Sequence, residues 1–161
     1  MFNIVLYQPE IPPNTGNIFR LCANTGCRLH LIEPLGFDLD DKKLRRAGLD
    51  YHEWADVKIH SDLKSACSKA GNVYAISTRG TRTYTEARFR AGDTLVFGPE
   101  TRGLPASYLD SIKHDSVLRI PMLKHSRSLN LSNAVAVLVY EGLRQNNFAE
   151  FALTQPGPNN G

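Results

Sequence analysis

A chain of 161 residues, 42% hydrophobic and 22% charged, is large enough for one globular domain with a real core. A formal net charge of +3 permits a nucleic-acid partner without requiring one. No run of eighteen apolar residues suggests a membrane span, and the N-terminal MFNIVLYQPE lacks the basic region of a signal peptide. Cys22, Cys27 and Cys67 have no zinc-like spacing and read as reduced thiols of a cytoplasmic protein.

The first predicted strand is NIVLY (3–7). A helix over 15–26 follows, approached through Pro12 and Pro13 and capped by Asn14 or Thr15. Ile18, Leu21 and Cys22 form its inward stripe. Arg20 lies off that stripe, where it is either a surface residue or a clamp on phosphate or substrate. The strand RLHLI (28–32) comes next, then a predicted helix over 41–48. There Lys42, Arg45 and Arg46 share one face and suit RNA phosphates, although a solvated helix face is the plainer alternative. Tyr51, His52 and Trp54 beyond it are stacking candidates that the core could equally claim.

The strand VKIH (57–60), a helix over 61–70 and the strands VYAIS (73–77) and TLVFG (94–98) continue the alternation. FGPETRGLP (97–105) then forms a loop in which Gly98 and Gly103 allow close backbone approach. It matches neither GxGxxG nor a P-loop. Glu100 in this loop is either a ligand contact or a turn carboxylate accepting backbone hydrogens. A helix over 105–111 and the strand VLRIP (117–121) lead to SRSLN (126–130), ahead of a final helix over 132–146 with Ser132 as its cap. Ser128 and Asn130 are left without a necessary structural task, while Ile120, Met122 and Leu129 offer apolar walls for a ligand.

The final helix carries the stripe Leu131, Ala134, Val135, Leu138 and Gly142, with further apolar surface at Val137, Val139 and Tyr140. Such a helix needs a second subunit or deep burial within one chain. Helices alternating with strands argue for an α/β domain over 1–150, a mostly parallel sheet covered on both faces. Residues 151–161 read as a disordered tail, 154–161 most plainly. The five histidines are scattered and no HExxH occurs, so no metal is expected.

The segments NIVLYQPEIPPNTGNIFRLCANTG, LHLIEPLGF, DDKKLRRAGLDYHEW, FGPETRGLP and RIPMLKHSRSLNLSNAVAVLVYE stand in a specific order. The chain over 1–148 resembles the SPOUT class of RNA methyltransferases, and within it the tRNA wobble-position 2′-O-methyltransferases of the TrmL (YibK) group. Cys27 stands where close relatives often have phenylalanine, and Leu129 where several have methionine; both replacements are apolar. The resemblance implies a six-stranded sheet and a deep C-terminal trefoil knot, a topology that general rules would not suggest. It implies S-adenosyl-L-methionine as cofactor, held by Ile76, Gly98, Ile120 and Ser128, with Thr78, Glu100, Gly103, Met122, Leu129 and Asn130 in the same loops.

It further implies a homodimer that methylates the ribose 2′-OH of nucleotide 34, on cytidine and on 5-carboxymethylaminomethyluridine of leucine tRNAs. Arg20, Tyr140 and Asn133 would be catalytic, and Lys42, Arg45 and Arg46 would hold the anticodon stem-loop. The same motifs are compatible with a methyltransferase for another tRNA or rRNA nucleotide, and with an RNA-binding protein without turnover. A metabolic α/β enzyme would leave the basic face at 42–46 without an RNA task.

Overall fold

A computed structural model describes residues 1–40, 42, 57–68, 71–149 and 151. The predicted helix at 41–48 and Tyr51, His52 and Trp54 therefore lie outside the described residues, Lys42 excepted, as does the tail from 152. The strands are β1 (Asn3–Tyr7), β2 (Arg28–Ile32), β3 (Lys58–His60), β4 (Val73–Ile76), β5 (Arg82–Thr83), β6 (Thr94–Phe97) and β7 (Val117–Arg119). Among the described residues, the α-helices with described bounds are α1 (Pro12–Thr25), α2 (Leu63–Ala66), α3 (Ala106–Ser111) and α4 (Leu131–Gln145).

The strands form one sheet in the order β3-β2-β1-β6-β4-β7-β5, and every neighbouring pair is parallel. Among the described residues the sheet has seven strands and not the expected six. The additional one, β5, is two polar residues paired to Leu118 and Arg119, too short to leave any periodicity in the sequence.

Alternating side chains supply two cores, as a sheet buried on both faces requires. Ile4, Leu6, Leu29, Leu31, Leu95 and Phe97 face Ile18, Phe19 and Cys22 of α1 and Val135, Leu138 and Val139 of α4. Val5, Ile32, Ala75, Val96 and Val117 join Leu104 and Leu109 in the second core, with Leu63 of α2 packed alongside. Val135 and Val139 are wholly buried in the single chain, so deep burial absorbs that part of the surplus apolar surface. Tyr140 remains 49% exposed.

Three local expectations change. Helix α1 begins at Pro12, because prolines suit a first turn whose N–H groups have no helical partner. Its N-cap is Ile11, with no side-chain cap bond, so neither Asn14 nor Thr15 caps it. Helix α4 is capped by Asn130 and not Ser132; the Asn130 Oδ1 accepts from the Ser132 N–H at 2.9 Å and the Asn133 N–H at 3.4 Å. The helix expected over 61–70 is the single turn of α2, started by Asp62, whose carboxylate accepts from the Ser65 N–H at 2.8 Å.

Candidate active site

All seven strands run the same way, so their carboxyl ends share one edge. The strand order also changes direction there: β1 connects through α1 to β2 on one side and pairs with β6 on the other. Ligands of open α/β sheets favour such an edge. A cavity of about 600 Å³ opens at it, within the range of cofactor pockets. Its walls come from the ends of β4, β6 and β7, the start of α1, and the loop leading into α4.

All ten residues expected around a cofactor line this cavity: Ile76, Thr78, Gly98, Glu100, Gly103, Ile120, Met122, Ser128, Leu129 and Asn130. Gly98 permits the loop after β6 to fold back, since a Cβ there would collide with the backbone of Gly103 and Leu104. Gly103 has φ +69°, a left-handed conformation that favours glycine. Among the described residues, no hydrogen bond engages Met122, Ser128 or Leu129. Their backbone donors and acceptors are thus available beside apolar walls.

Glu100 has a defined structural task as well. Its carboxylate accepts from the N–H groups of Glu10 at 2.9 Å and Ile11 at 3.1 Å, and from the Asn14 side chain at 3.2 Å. It thereby supplies the start of α1 with the acceptor and negative charge that a helix N-terminus favours. Asn14, 6% exposed, also accepts from the Asn130 Nδ2 at 2.8 Å. Sequence reasoning treated Asn14 only as a cap and missed this link across 116 residues.

It likewise missed a polar cluster on the rim, for which the sequence carries no local signal. There Glu10 accepts from the Thr101 hydroxyl at 2.8 Å and pairs with Arg102 at 2.8 Å, and Arg102 also donates to Gln8. Among the described residues no group of three or more metal-ligating side chains occurs.

The three expected catalytic residues lie elsewhere. Arg20, Asn133 and Tyr140 are exposed and none lines the cavity. Arg20 falls on an outer stripe of α1 with Pro13, Asn17 and Asn24, all exposed at helical spacing. Asn133 and Tyr140 fall on one face of α4, which packs against α1. Lys42 is exposed, and Arg45 and Arg46 lie outside the described residues.

Relatives match this chain over most of its length. A protein of Saccharophagus degradans named tRNA (cytidine(34)-2′-O)-methyltransferase is 62% identical over 151 residues, 92% of this chain and 98% of the relative. An Escherichia coli protein of the same name is 58% identical over 147 residues, covering 90% and 94% of the two chains. A solved structure concerned with "the 2-OH methylation of C/U34 on tRNA" aligns with TM-score 0.83 and 48% identity, over 92% of this chain and 97% of the other. Residues 1–140 match the model of the SpoU rRNA Methylase family, and with that match this chain belongs to the family.

Proposed function

We propose that the protein transfers a methyl group from S-adenosyl-L-methionine to the ribose 2′-oxygen of nucleotide 34 in tRNA, on cytidine and on 5-carboxymethylaminomethyluridine of leucine isoacceptors. The carrying observation is the cavity at the sheet's carboxyl edge, in a chain 62% identical to a tRNA (cytidine(34)-2′-O)-methyltransferase over almost its full length. The family description speaks of rRNA, which favours a second reading, the same reaction on another RNA nucleotide. Near-complete coverage at high identity supports the wobble nucleotide over that broader match.

The residues present suit this methyl donor. Ile76, Ile120, Met122 and Leu129 would enclose its apolar and aromatic parts. The free backbone groups around Ser128 and Leu129 would meet its polar edges. When bound, the donor supplies a sulfonium-activated methyl group.

The chain must then hold the ribose in line and favour loss of the hydroxyl proton. Arg20 suits the second task through charge: a guanidinium stays protonated, so it stabilises developing negative charge and does not accept the proton. It can also grip a phosphate with two parallel N–H groups.

Arg20 and Tyr140 stand on the outer faces of two packed helices, away from the cavity. This supports a twofold homodimer in which the helical face of one copy meets the other, since cyclic pairs present the same patch twice. Lys42, Arg45 and Arg46 would hold the anticodon stem-loop through its phosphates, in the cytoplasm where tRNA is processed.

The strand order supports the trefoil knot. Strand β7 lies between β4 and β5, although residues 77–81 join those two strands directly and so bridge over β7. The Ser77 N–H donates to the Leu118 carbonyl at 2.9 Å, and a Cβ on Gly80 would lie 2.8 Å from the Leu118 carbonyl carbon, so the bridge is tight.

The deciding experiment incubates the protein and S-adenosyl-L-methionine with total tRNA from cells lacking wobble methylation, then maps the nucleosides. The expected product is 2′-O-methylcytidine at position 34 of leucine tRNA. Methylation only at another nucleotide would favour the second reading, and none on any RNA would overturn both.

A further inference from the structure

The hydrogen bonds at the back of the cavity have a fixed direction. An ionised carboxylate only accepts, so Glu100 obliges Asn14 to turn its Nδ2 toward it. The Asn14 Oδ1 then faces Asn130 and must receive a donor, which is the Asn130 Nδ2. That leaves the Asn130 Oδ1 for the first turn of α4, where it accepts from the N–H of Ser132 and of Asn133. The other end of the same chain of bonds holds the lead-in to α1 through the N–H groups of Glu10 and Ile11. One negative charge thus sets the orientation of two amides and joins three separate walls of the cavity.

We propose that Glu100, Asn14 and Asn130 are positioning residues, and that their shared polarity fixes where the backbone of Ser128 and Leu129 meets the cofactor. The inference rests on the cofactor reading above. Asn130 immediately follows the two residues whose backbone groups are free. Its side chain holds both α1 and α4, so its own position is determined from two directions. Glu100 and Asn130 therefore act on the ligand chiefly through the segment they hold.

The test reverses the polarity. Asn130→Asp keeps the cap on α4, since aspartate caps as well as asparagine, but sets two acceptors face to face at Asn14. Glu100→Gln replaces an acceptor with a donor at one end of the carboxylate. In the double variant the Asn14 amide can turn over, receiving from Gln at 100 and donating to Asp at 130. Binding of S-adenosylhomocysteine is measured by calorimetry on each variant, with circular dichroism melts to establish folding.

Each single substitution should weaken binding about tenfold, the order expected for one lost hydrogen bond to a charged group. The double variant should bind more tightly than Asn130→Asp alone, because the turned Asn14 amide relieves the facing acceptors, while the Ile11 N–H that shared the Glu100 Oε1 loses its acceptor. A cap lost or a fold loosened would make the double variant worse, so recovery separates positioning from general stability.

Singles that bind as wild type, or a double variant no tighter than Asn130→Asp alone, would overturn the inference. A folded wild-type protein that binds neither S-adenosylhomocysteine nor S-adenosyl-L-methionine would instead overturn the cofactor reading, and this inference with it.

Discussion

Arg20 is exposed on α1 and outside the cavity, while every expected cofactor residue lines it. A buried arginine would be suspected of holding the fold; an exposed one on an outer stripe has little folding work to lose. Its proposed work is in the reaction, through charge or through the fixed fork of its guanidinium. Arg20→Ala should fold normally and slow single-turnover methylation by about a hundredfold, the effect of losing one transition-state contact of about 3 kcal/mol. Arg20→Lys restores charge without the fork. Partial recovery would assign the effect to charge, and a rate like alanine's would assign it to orientation. A folded Arg20→Ala protein with a near wild-type rate at saturating substrates removes Arg20 from the reaction.

At the level of elements, α4 is held against the N-terminus by a glycine. A Cβ on Gly142 would lie 2.6 Å from the Phe2 ring, itself only 2% exposed. Alanine would gain about 1 kcal/mol in helix propensity, but overpacking a buried ring costs about 1–3 kcal/mol. Gly142→Ala should therefore lower the melting temperature, and Gly142→Ala with Phe2→Leu should recover part of the loss. An unchanged melt for Gly142→Ala would mean that Phe2 moves aside freely.

Such elements were largely legible. Six strands were read within a residue or two; β1, β4 and β6 are continuous apolar runs or nearly so, as strands covered on both faces are, whereas the edge strand β3 has only Ile59 between Lys58 and His60. The helical stripe around Ile18 and Cys22 gave α1, and that around Leu131 and Leu138 gave α4. What escaped had no local pattern: the two polar residues of β5, and the Glu100–Asn14–Asn130 bonds that span 86 and 116 residues. The cap on α4 was misassigned because Ser132 and Asn130 are both good caps, and only the fold shows which one turns back onto the helix. The residues that line the cavity were singled out partly as apolar walls, as with Ile120, Met122 and Leu129, and partly through motif resemblance, as with Ile76 and Thr78.

At the scale of the whole molecule, one buried group links stability to acidity. His30 is 7% exposed, stacks on His60, and shares a hydrogen bond with it between Nδ1 and Nε2 at 2.8 Å. Burial first, then the positive charge of His60, Lys58 and Arg28, pushes its pKa from 6.5 down to about 4. The unfolded chain therefore takes up a proton at His30 that the folded chain refuses. The stabilisation present above pH 6.5 is lost as pH falls toward about 4. His30→Asn retains a donor near the Nδ1 position without titrating, so it should flatten the fall in melting temperature between those values. An equally steep fall in the variant would place the sensitivity elsewhere. Sedimentation at micromolar concentration should report twice the chain mass, and an active monomer across dilution would remove the proposed homodimer.

The sheet ends in β3, three residues including Lys58 and His60, and in β5, two residues beginning with Arg82. A stray strand seeking to extend the sheet would find only a few peptide groups, beside Lys58, Ile59 and His60 at one edge and Arg82 and Thr83 at the other. Short charged edges of this kind discourage fibril-like growth. Open-ended stacking of copies through the edges of the sheet is thereby disfavoured.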